Sequence, residues 1–283
     1  MRFWSDLRRI LWNDKPALVG GIIVLIYVLM AIFGPMLVHI SSVQNASDAY
    51  AGPSPQHLLG TDALGQDVLA QIIVGCRPIM IVGVVSAVIT VVVGVVIGLV
   101  SGYVGGFTDS ALMRVTDVFL TVPGLPLIIM IAAIVHTTNP LVLALILSVT
   151  AWPGLARAIR SQALSLRSSD FIEAARLQGL GLGNIVGRQL LPNVGPYVAI
   201  HFLLGITGAI YAQVGLFLLG IAPISGTNWG IMINLAMSQG ALYTPGSALY
   251  LFSPMAAIVI LQVAFVFFSR ALDSVFNPRL RVQ

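Results

Sequence analysis

Residues 79–103 read IMIVGVVSAVITVVVGVVIGLVSGY, a stretch without a charged side chain. A helix needs roughly 20 mainly apolar residues to cross a bilayer, so this stretch is long enough to do so. Its valine runs do not alternate with polar residues, as the strands of a membrane barrel would. The stretch therefore predicts a transmembrane helix.

Five further apolar stretches lie on either side of it, at residues 17–40, 111–136, 141–156, 197–220 and 251–269. Pro123 and Pro126 interrupt the third of the six predicted spans, and the fourth ends near Trp152-Pro153. Of the 283 residues, 58% are hydrophobic and 8% are charged, whereas a soluble domain carries roughly 25% charged residues. We predict an all-α membrane protein with six transmembrane helices.

The basic residues give the predicted orientation. With the N-terminus inside, all but one of the 14 lysines and arginines fall on the inner side, and the exception is Arg77, beside a membrane boundary. The positive-inside rule favours this orientation. The predicted organisation is a cytoplasmic segment 1–16, a transmembrane domain 17–270 and a cytoplasmic tail 271–283, with an inside loop at 157–196 and outside loops at about 41–76 and 221–250. Because the basic residues lie at the ends of apolar runs, they form no nucleic-acid-binding stripe.

The sequence predicts no catalytic, cofactor-binding or metal-binding residue. The only lysine, Lys15, precedes Pro16, so no phosphate-binding G-x-x-x-x-G-K-[ST] loop exists. The single cysteine, Cys76, reads as a small packing residue. The spans contain few ionisable residues. Asp117 and His201 both lie near inner boundaries, and His201 reads as a packed or interfacial residue rather than a relay or solute ligand. An ion-coupled secondary transporter, which usually carries ionisable groups at mid-membrane, is the first alternative from another class of protein. A membrane enzyme is the second.

The most informative part of the inside loop is SSDFIEAARLQG, residues 168–179. Asp170 can cap a helix, with Glu173, the only glutamate, three residues on as in a capping box. Gly179 can end that helix in the left-handed conformation, and a second helix is expected from about Asn184 to Pro192. Ala174 and Ala175 leave part of the short helix without bulk, so that a neighbouring protein could approach its backbone. From the residues alone, a solvated amphipathic loop helix explains the segment equally well.

Glu173-Ala174-Ala175, Gly179, Ile185 and Leu191-Pro192 resemble the EAA loop of permeases of ATP-binding-cassette (ABC) importers. In that family the short helix docks into a groove of the cytoplasmic ATPase and transmits its motion. The resemblance implies that Asp170, Glu173, Ala174, Ala175 and Gly179 couple this chain to an ATPase. It also implies the type I ABC importer fold.

Further segments resemble the dipeptide, oligopeptide and nickel permeases, and in particular the second, "C"-type permease of such systems. These segments are HLLGTDALGQD at 57–67, GYVGG at 102–106, MRVTD at 113–117, WGIM at 229–232 and NPRL at 277–280. The sequence departs from the family pattern at Gln66, where arginine is usual, at Asn277, where aspartate is usual, and at residues 222–227, which lack paired prolines.

The resemblance implies a subunit of a prokaryotic inner membrane that pairs with a homologous second permease. Two cytoplasmic ATPase subunits, which hold ATP and magnesium, and an extracytoplasmic solute-binding protein complete the expected assembly. The implied solute is a di- or oligopeptide. Nickel or a metal–chelator complex, or an oligosaccharide, remains open.

Two pairs of residues have more than one interpretation. Asp62 and Asp67 lie in the first outside loop, where Thr61 or Asp62 can cap a surface helix that includes Leu64, Val68 and Ile72; receptor docking and metal binding are the alternatives. Arg114 and Asp117, spaced i, i+3, can pair on one helix face at the inner boundary. The alternative for this second pair is a gate at the inner mouth.

Overall fold

The structure, a computed structural model, describes residues 14–40, 46–223 and 225–276. It contains nine α-helices in these ranges. They are α1 (Lys15–Leu37), α2 (Val68–Val104), α3 (Gly106–Thr121), α4 (Gly124–Val135), α5 (Pro140–Arg167), α6 (Asp170–Leu177), α7 (Leu182–Leu218), α8 (Trp229–Ser238) and α9 (Ala248–Phe276). Two short 3-10 turns lie at Ala46–Asp48 and Ala241–Tyr243. The described ranges contain one isolated β-bridge, Thr61 to Asp67, and no strand, so the predicted all-α class is confirmed.

Five of these helices, namely α1, α2, α5, α7 and α9, are long and apolar enough to cross a membrane. The pair α3 and α4 also qualifies when taken together, although the two helices meet at an angle of 83°. Counting this bent pair as one span gives the six that the sequence predicts. The interruption falls at Val122-Pro123, as the prolines predict, because Pro123 adopts an extended backbone with ψ of 118°.

The helix that contains the second predicted span begins 11 residues before that span. The surface helix expected from Thr61 or Asp62 is wrong as a separate element, since α2 starts at Val68 and continues unbroken past Pro78 to Val104. Its N-cap is Asp67, whose carboxylate accepts from the backbone N–H of Ala70 at 2.8 Å. With 37 residues at about 1.5 Å each, α2 is about 55 Å long, so it projects beyond a hydrocarbon layer of roughly 30 Å.

Helices extend from both sides into the residues 157–196 that were predicted as the inside loop. α5 continues past Pro153 to Arg167, and the second helix expected between Asn184 and Pro192 is instead the start of the fifth span, α7. Its residues Ile185–Leu190 form a π-helical segment that ends just before Pro192. A local change of helical register of this kind lets a membrane helix accommodate a proline.

α2 and α5 pack closely and run parallel. Cβ atoms added at Gly94, Gly98 and Gly102 would meet Leu155, Ile159 and Ala163 respectively. The residue numbers of the contacting positions rise together along both helices, so the helices run parallel. At Gly98 the added atom would lie 2.6 Å from the carbonyl oxygen of Ala156. Small residues at such a spacing let two membrane helices approach backbone to backbone. The C-terminal ends of α2 and α5 therefore lie at the same end of the bundle.

α7 runs antiparallel to α2, because Gly83 faces Ile206 and Ile210 whereas Ala87 faces Gly205. The start of α7 therefore lies beside the ends of α2 and α5. We call this side of the molecule the basic end, since it carries Arg157, Arg160, Arg167, Arg176 and Arg188.

α1 runs antiparallel to α9. A Cβ at Gly20 would lie 2.7 Å from the carbonyl oxygen of Ala264, and the Tyr27 hydroxyl donates to the carbonyl of Ala257 at 2.8 Å. At the other end of α1, Gly34 packs against Ile73 near the start of α2. The start of α1 and the end of α9 consequently both lie at the basic end.

Candidate functional site

The short helix α6 is capped one residue earlier than predicted, so it begins at Asp170 itself. Ser169 is the N-cap, and its side chain makes no capping hydrogen bond to the helix; its hydroxyl donates to the carbonyl of Leu166 at 2.6 Å. Asp170 is the first helical residue, so the capping box predicted from Asp170 and Glu173 is wrong. Both carboxylates lie in the first turn, where they interact favourably with the positive end of the helix dipole.

α6 ends as the sequence predicts. Gly179 has a φ of +71°, and the Leu180 N–H donates to the carbonyl of Ala175 at 3.2 Å while the Gly179 N–H donates to that of Arg176 at 2.9 Å. These two bonds are those of a Schellman turn, which favours glycine at this position. A Cβ at Gly179 would meet no atom within 4 Å, so the requirement for glycine comes from the backbone alone.

The two faces of α6 differ in burial. Ile172 and Ala175 are 0% and 4% exposed and belong to a cluster with Leu99, Ile159 and Leu190 of α2, α5 and α7. Glu173 and Ala174 are exposed. Of the two small residues that could let a neighbouring protein approach α6, only Ala174 is exposed. Ala175 packs against the chain's own bundle. Burial of Ile172 contributes about 1.5–3 kcal/mol to holding α6 in place.

Arg176 links α6 to the end of α2. Its guanidinium carbon lies 5.0 Å from the ring centroid of Tyr103, and its Nε donates to the Tyr103 hydroxyl at 3.3 Å. A cation over an aromatic face contributes roughly 0.5–1 kcal/mol at exposed sites. α6 is thus fixed to the span bundle by an apolar contact and by a polar one.

A second link at the basic end joins α3 to α5. Arg160 forms a two-pronged ion pair with Asp109, with Nε–Oδ1 and Nη2–Oδ2 distances of 2.5 and 2.6 Å. The hydroxyl of Ser101, at the end of α2, also donates to Asp109. Sequence reasoning missed this pair, because the two residues are far apart in the chain; the available signal was an aspartate just after Gly105-Gly106 at an inner boundary rich in arginine.

Asp117 pairs with a different arginine from the one predicted. Its carboxylate accepts from Nη2 of Arg157 at 2.6 Å, so the pairing with Arg114 is wrong. Arg114 is exposed and forms no ion pair with the described part of the chain. The i, i+3 spacing put the two residues on neighbouring positions of α3, but the packing of α5 alongside supplied a closer cation.

At the opposite end of the bundle, Asp62 and Asp67 organise the loop before α2. Asp62 as a whole residue is 5% exposed. Its Oδ1 accepts from the backbone N–H groups of Leu64 and Gln66, and its Oδ2 accepts from the side-chain amide of Gln71 at 2.7 Å. Asp67 lies 2.8 Å from Nδ1 of His57. Both carboxylates are thereby used in local structure. The described residues include no cluster of three or more potential metal ligands.

The outside loop predicted at 221–250 contains a helix that folds back onto the bundle. In α8, Trp229 is fully buried, and its indole Nε1 donates to the carbonyl of Ile72 at 2.9 Å. The Trp229 ring packs edge-on against Tyr27 with centroids 5.9 Å apart. The segment WGIM is therefore a packing element that joins α1, α2 and α8.

The two isolated residues, Cys76 and His201, have different environments. Cys76 is fully buried, in agreement with its reading as a packing residue, and its thiol lies 3.5 Å from the carbonyl oxygen of Tyr27. His201 is half-buried, and its ring centroid lies 4.2 Å from that of Tyr197. The departure at Asn277 lies outside the described residues, as does Ile224 within the stretch 222–227.

Five long apolar helices, a bent sixth span and a small amphipathic helix at the basic end define a multi-pass membrane protein. Residues 94–282 match the family of binding-protein-dependent transport system inner membrane components, and the chain belongs to this family. Residues 2–53 match the N-terminal transmembrane domain of oligopeptide transport permease C. The chain is accordingly a multi-pass inner-membrane subunit of an ABC importer with the type I permease fold.

Relatives align over nearly the whole chain. The oligopeptide transport system permease protein OppC of Bacillus subtilis is 30% identical over 99% of this chain and 91% of its own length. The dipeptide transport system permease protein DppC of the same organism is 32% identical over 99% of this chain and 87% of its own length. OppC of Escherichia coli is 32% identical over 98% of this chain and 92% of its own length.

Proposed function

We propose that this chain forms half of the membrane pathway through which an ABC importer takes up di- or oligopeptides. The observation that carries the proposal is the alignment, over almost the full length of both chains, with relatives named as oligopeptide and dipeptide permeases. The other half of the pathway is a homologous second permease, and an extracytoplasmic solute-binding protein delivers the peptide.

In this proposal α6 is the coupling helix. Its exposed face, with Asp170, Glu173 and Ala174, contacts one cytoplasmic ATPase subunit, and its buried face, with Ile172 and Ala175, moves the bundle. The left-handed turn at Gly179 fixes the angle at which the chain leaves α6. The ATPase subunits hold ATP and magnesium, so this chain needs no cofactor of its own.

The basic end faces the cytoplasm in this proposal, with both chain termini on that side. The support is the positive-inside rule together with the position of α6, which must be accessible to a cytoplasmic partner. Arg114 and Asp117 lie near this inner mouth, where the Asp117–Arg157 contact joins α3 to α5. We retain Arg114 and Asp117 of α3 as a candidate inner gate, in which Arg157 rather than Arg114 pairs with Asp117.

The experiment that tests the proposal identifies the solute. The neighbouring solute-binding protein, purified from cells, is examined by native mass spectrometry, and the complete importer is reconstituted in proteoliposomes with radiolabelled trialanine. We expect bound peptides on the receptor and ATP-dependent uptake of trialanine. A receptor that carries a nickel chelate or an oligosaccharide, with no uptake of peptide by the importer, would exclude peptide transport in favour of that solute.

A further inference from the structure

A cavity of about 430 Å³ lies between α2, α4, α5 and α7. Ser86 and Thr90 of α2 contribute to its wall, and Ser86 stands 18 residues from Val68 and 18 from Val104, the two ends of that helix. The cavity is therefore at half the length of the longest span. Its volume falls within the range of about 300–1,000 Å³ that is usual for ligand sites.

Four polar side chains line this cavity, those of Ser86, Thr90, Thr150 and His201. None of them makes a side-chain hydrogen bond with the part of the chain that the structure describes. Ser86 and Thr90 follow one another at i, i+4 and so lie on one face of α2, although as whole residues they are only 2% and 6% exposed. Both residues nevertheless line the cavity, and their hydroxyls are not among the fully buried side-chain atoms of the described residues that have no partner.

His201 adds an imidazole from α7 to the same wall. Its ring packs against Tyr197 and leaves its nitrogens without a partner among the described residues. Ionisable side chains within membrane spans are costly there, and they usually face a cavity and mark a solute pathway. A neutral imidazole supplies one donor and one acceptor, which the hydroxyls complement.

The rest of the cavity wall is uncharged and in part without side chains. No aspartate, glutamate, lysine or arginine is among the described residues that line it. Gly154 and Gly208 face open space, since a Cβ at either would meet nothing within 4 Å. A chain of amino acids could approach the helix backbones closely at these two glycines.

We propose that this cavity is a transit subsite for the backbone of the transported peptide. Each peptide unit has an N–H donor and a C=O acceptor whose loss of water must be compensated. Ser86, Thr90, Thr150 and His201 supply hydrogen bonds to these groups, while the uncharged wall accepts peptides of differing side-chain charge. The inference rests on the proposed function as a peptide permease.

The first test removes hydrogen bonds and preserves shape. Thr90→Val and His201→Phe are introduced singly into the complete importer, and uptake of radiolabelled trialanine is measured against concentration together with ATPase rate. We expect kcat for uptake to fall about threefold to tenfold for each, as the loss of one hydrogen bond implies, with KM unchanged because the receptor sets it. His201→Gln, which keeps a donor and an acceptor, should restore most of the rate.

Thr116→Val is the matched control for Thr90→Val. The Thr116 hydroxyl donates within its own helix to the carbonyl of Leu112 at 2.8 Å and does not line the cavity. This variant should import trialanine at close to the wild-type rate. Wild-type kcat in both Thr90→Val and His201→Phe would overturn the subsite and leave peptide transport itself intact.

The second test fills the space. Gly208→Leu places a side chain in the cavity, whereas Gly215→Leu places one on the same helix, two turns further on, where a Cβ also meets nothing within 4 Å. We expect Gly208→Leu to assemble normally, retain ATPase activity and lose at least tenfold in uptake, with Gly215→Leu close to wild type. If Gly208→Leu, but not Gly215→Leu, failed to pair with the second permease, the proposal would be overturned. The cavity would then be a contact surface for the partner subunit.

Failure of the wild-type importer to take up trialanine would count against the proposed function, whatever the variants do. Uptake by the wild type, with variants that match it, would count against the subsite alone. A diazirine-bearing tripeptide, photolysed during turnover and mapped by mass spectrometry, gives an independent readout. Adducts should fall within residues 86–90, 150–154 or 201–212, and adducts elsewhere in the importer with none in these segments would overturn the assignment.

Discussion

Asp109 and Asp117 are two carboxylates of α3 that meet arginines of α5 in different surroundings. The side chains of Asp109 and Arg160 are 16% and 30% exposed, whereas those of Asp117 and Arg157 are 58% and 56% exposed. Exposed ion pairs contribute roughly 0–1 kcal/mol. A partly buried, two-pronged pair contributes more, and removal of one partner leaves the other charge uncompensated.

We therefore expect Asp109→Asn to destabilise the permease by about 1–3 kcal/mol. The substitution keeps the shape of the side chain but removes the charge that faces Arg160. Asp117→Asn is the control and should change stability by less than about 0.5 kcal/mol. The measurement is the thermal midpoint of the detergent-solubilised complex; equal shifts for the two variants would contradict the difference in burial on which the prediction depends.

Gly179 gives a second prediction at the scale of a single residue. Its φ of +71° is costly for a β-branched residue, by roughly 1–3 kcal/mol, and no neighbouring atom obstructs a side chain. We expect Gly179→Val to leave membrane insertion and permease pairing intact while it weakens ATPase docking or separates ATP hydrolysis from uptake.

Gly181→Val is the matched control for Gly179→Val. Gly181 has an ordinary φ of −68° and equally open surroundings. Assembled complex, ATPase rate and peptide uptake are compared on one sample of each variant. Normal uptake by a fully assembled Gly179→Val complex would show that α6 is only a solvated connector.

At the scale of elements, the sequence predicted which segments are helical better than it predicted where they end. The last part of α5, residues 157–167, was missed because Arg157, Arg160 and Arg167 lower its hydropathy, although Ile159 and Ala163 on its other face are fully buried. Similarly, Pro192 was taken as the end of a short helix, whereas the π-helical turn before it allows α7 to continue. Hydropathy indicates whether a segment is apolar enough to lie in lipid. It therefore does not predict where a helix ends if the helix continues beyond the apolar segment and stays packed on its neighbours.

The faces of α6 could be predicted only in part. Alternation of Ile172 and Ala175 with charged residues indicates an amphipathic helix, but the sequence does not say which alanine turns inward. That choice is made by tertiary packing against Leu99 and Ile159. The Asp109–Arg160 and Asp117–Arg157 contacts could not be predicted from the sequence for the same reason, since they depend on how α3 lies against α5.

The two adjacent alanines of α6 give a prediction at this scale. Ala175→Leu should push α6 away from the bundle, because Ala175 is 4% exposed and overpacking costs roughly 1–3 kcal/mol. Ala174→Leu adds the same volume on the exposed face, so it should leave the isolated permease pair as stable as wild type and reduce only ATPase binding. Thermal midpoints of the permease pair without ATPase, and ATPase co-purification, separate the two effects; a loss of stability in Ala174→Leu equal to that in Ala175→Leu would mean that both alanines face the bundle.

For the whole molecule, the helix directions determine which loops lie together. The starts of α1 and α7 and the ends of α2, α5 and α9 lie at the basic end, so the described chain crosses the bundle an even number of times. The segment 46–67 lies at the other end, where Thr61 bridges to Asp67 at the start of α2. These relations hold whichever end of the bundle faces the cytoplasm. The distribution of arginines favours the basic end as the cytoplasmic one.

Thiol labelling tests that choice directly. Ser47 and Ser168 are exposed and lie at opposite ends of the bundle, so each is replaced by cysteine in a Cys76→Ala background. Because we place the basic end in the cytoplasm, an impermeant maleimide should label Ser47→Cys in intact cells, and Ser168→Cys only in permeabilised membranes stripped of ATPase. The Cys76→Ala parent, which has no other cysteine, sets the background. Labelling of Ser168→Cys but not of Ser47→Cys in intact cells would reverse the orientation, and α6 could then no longer reach a cytoplasmic ATPase.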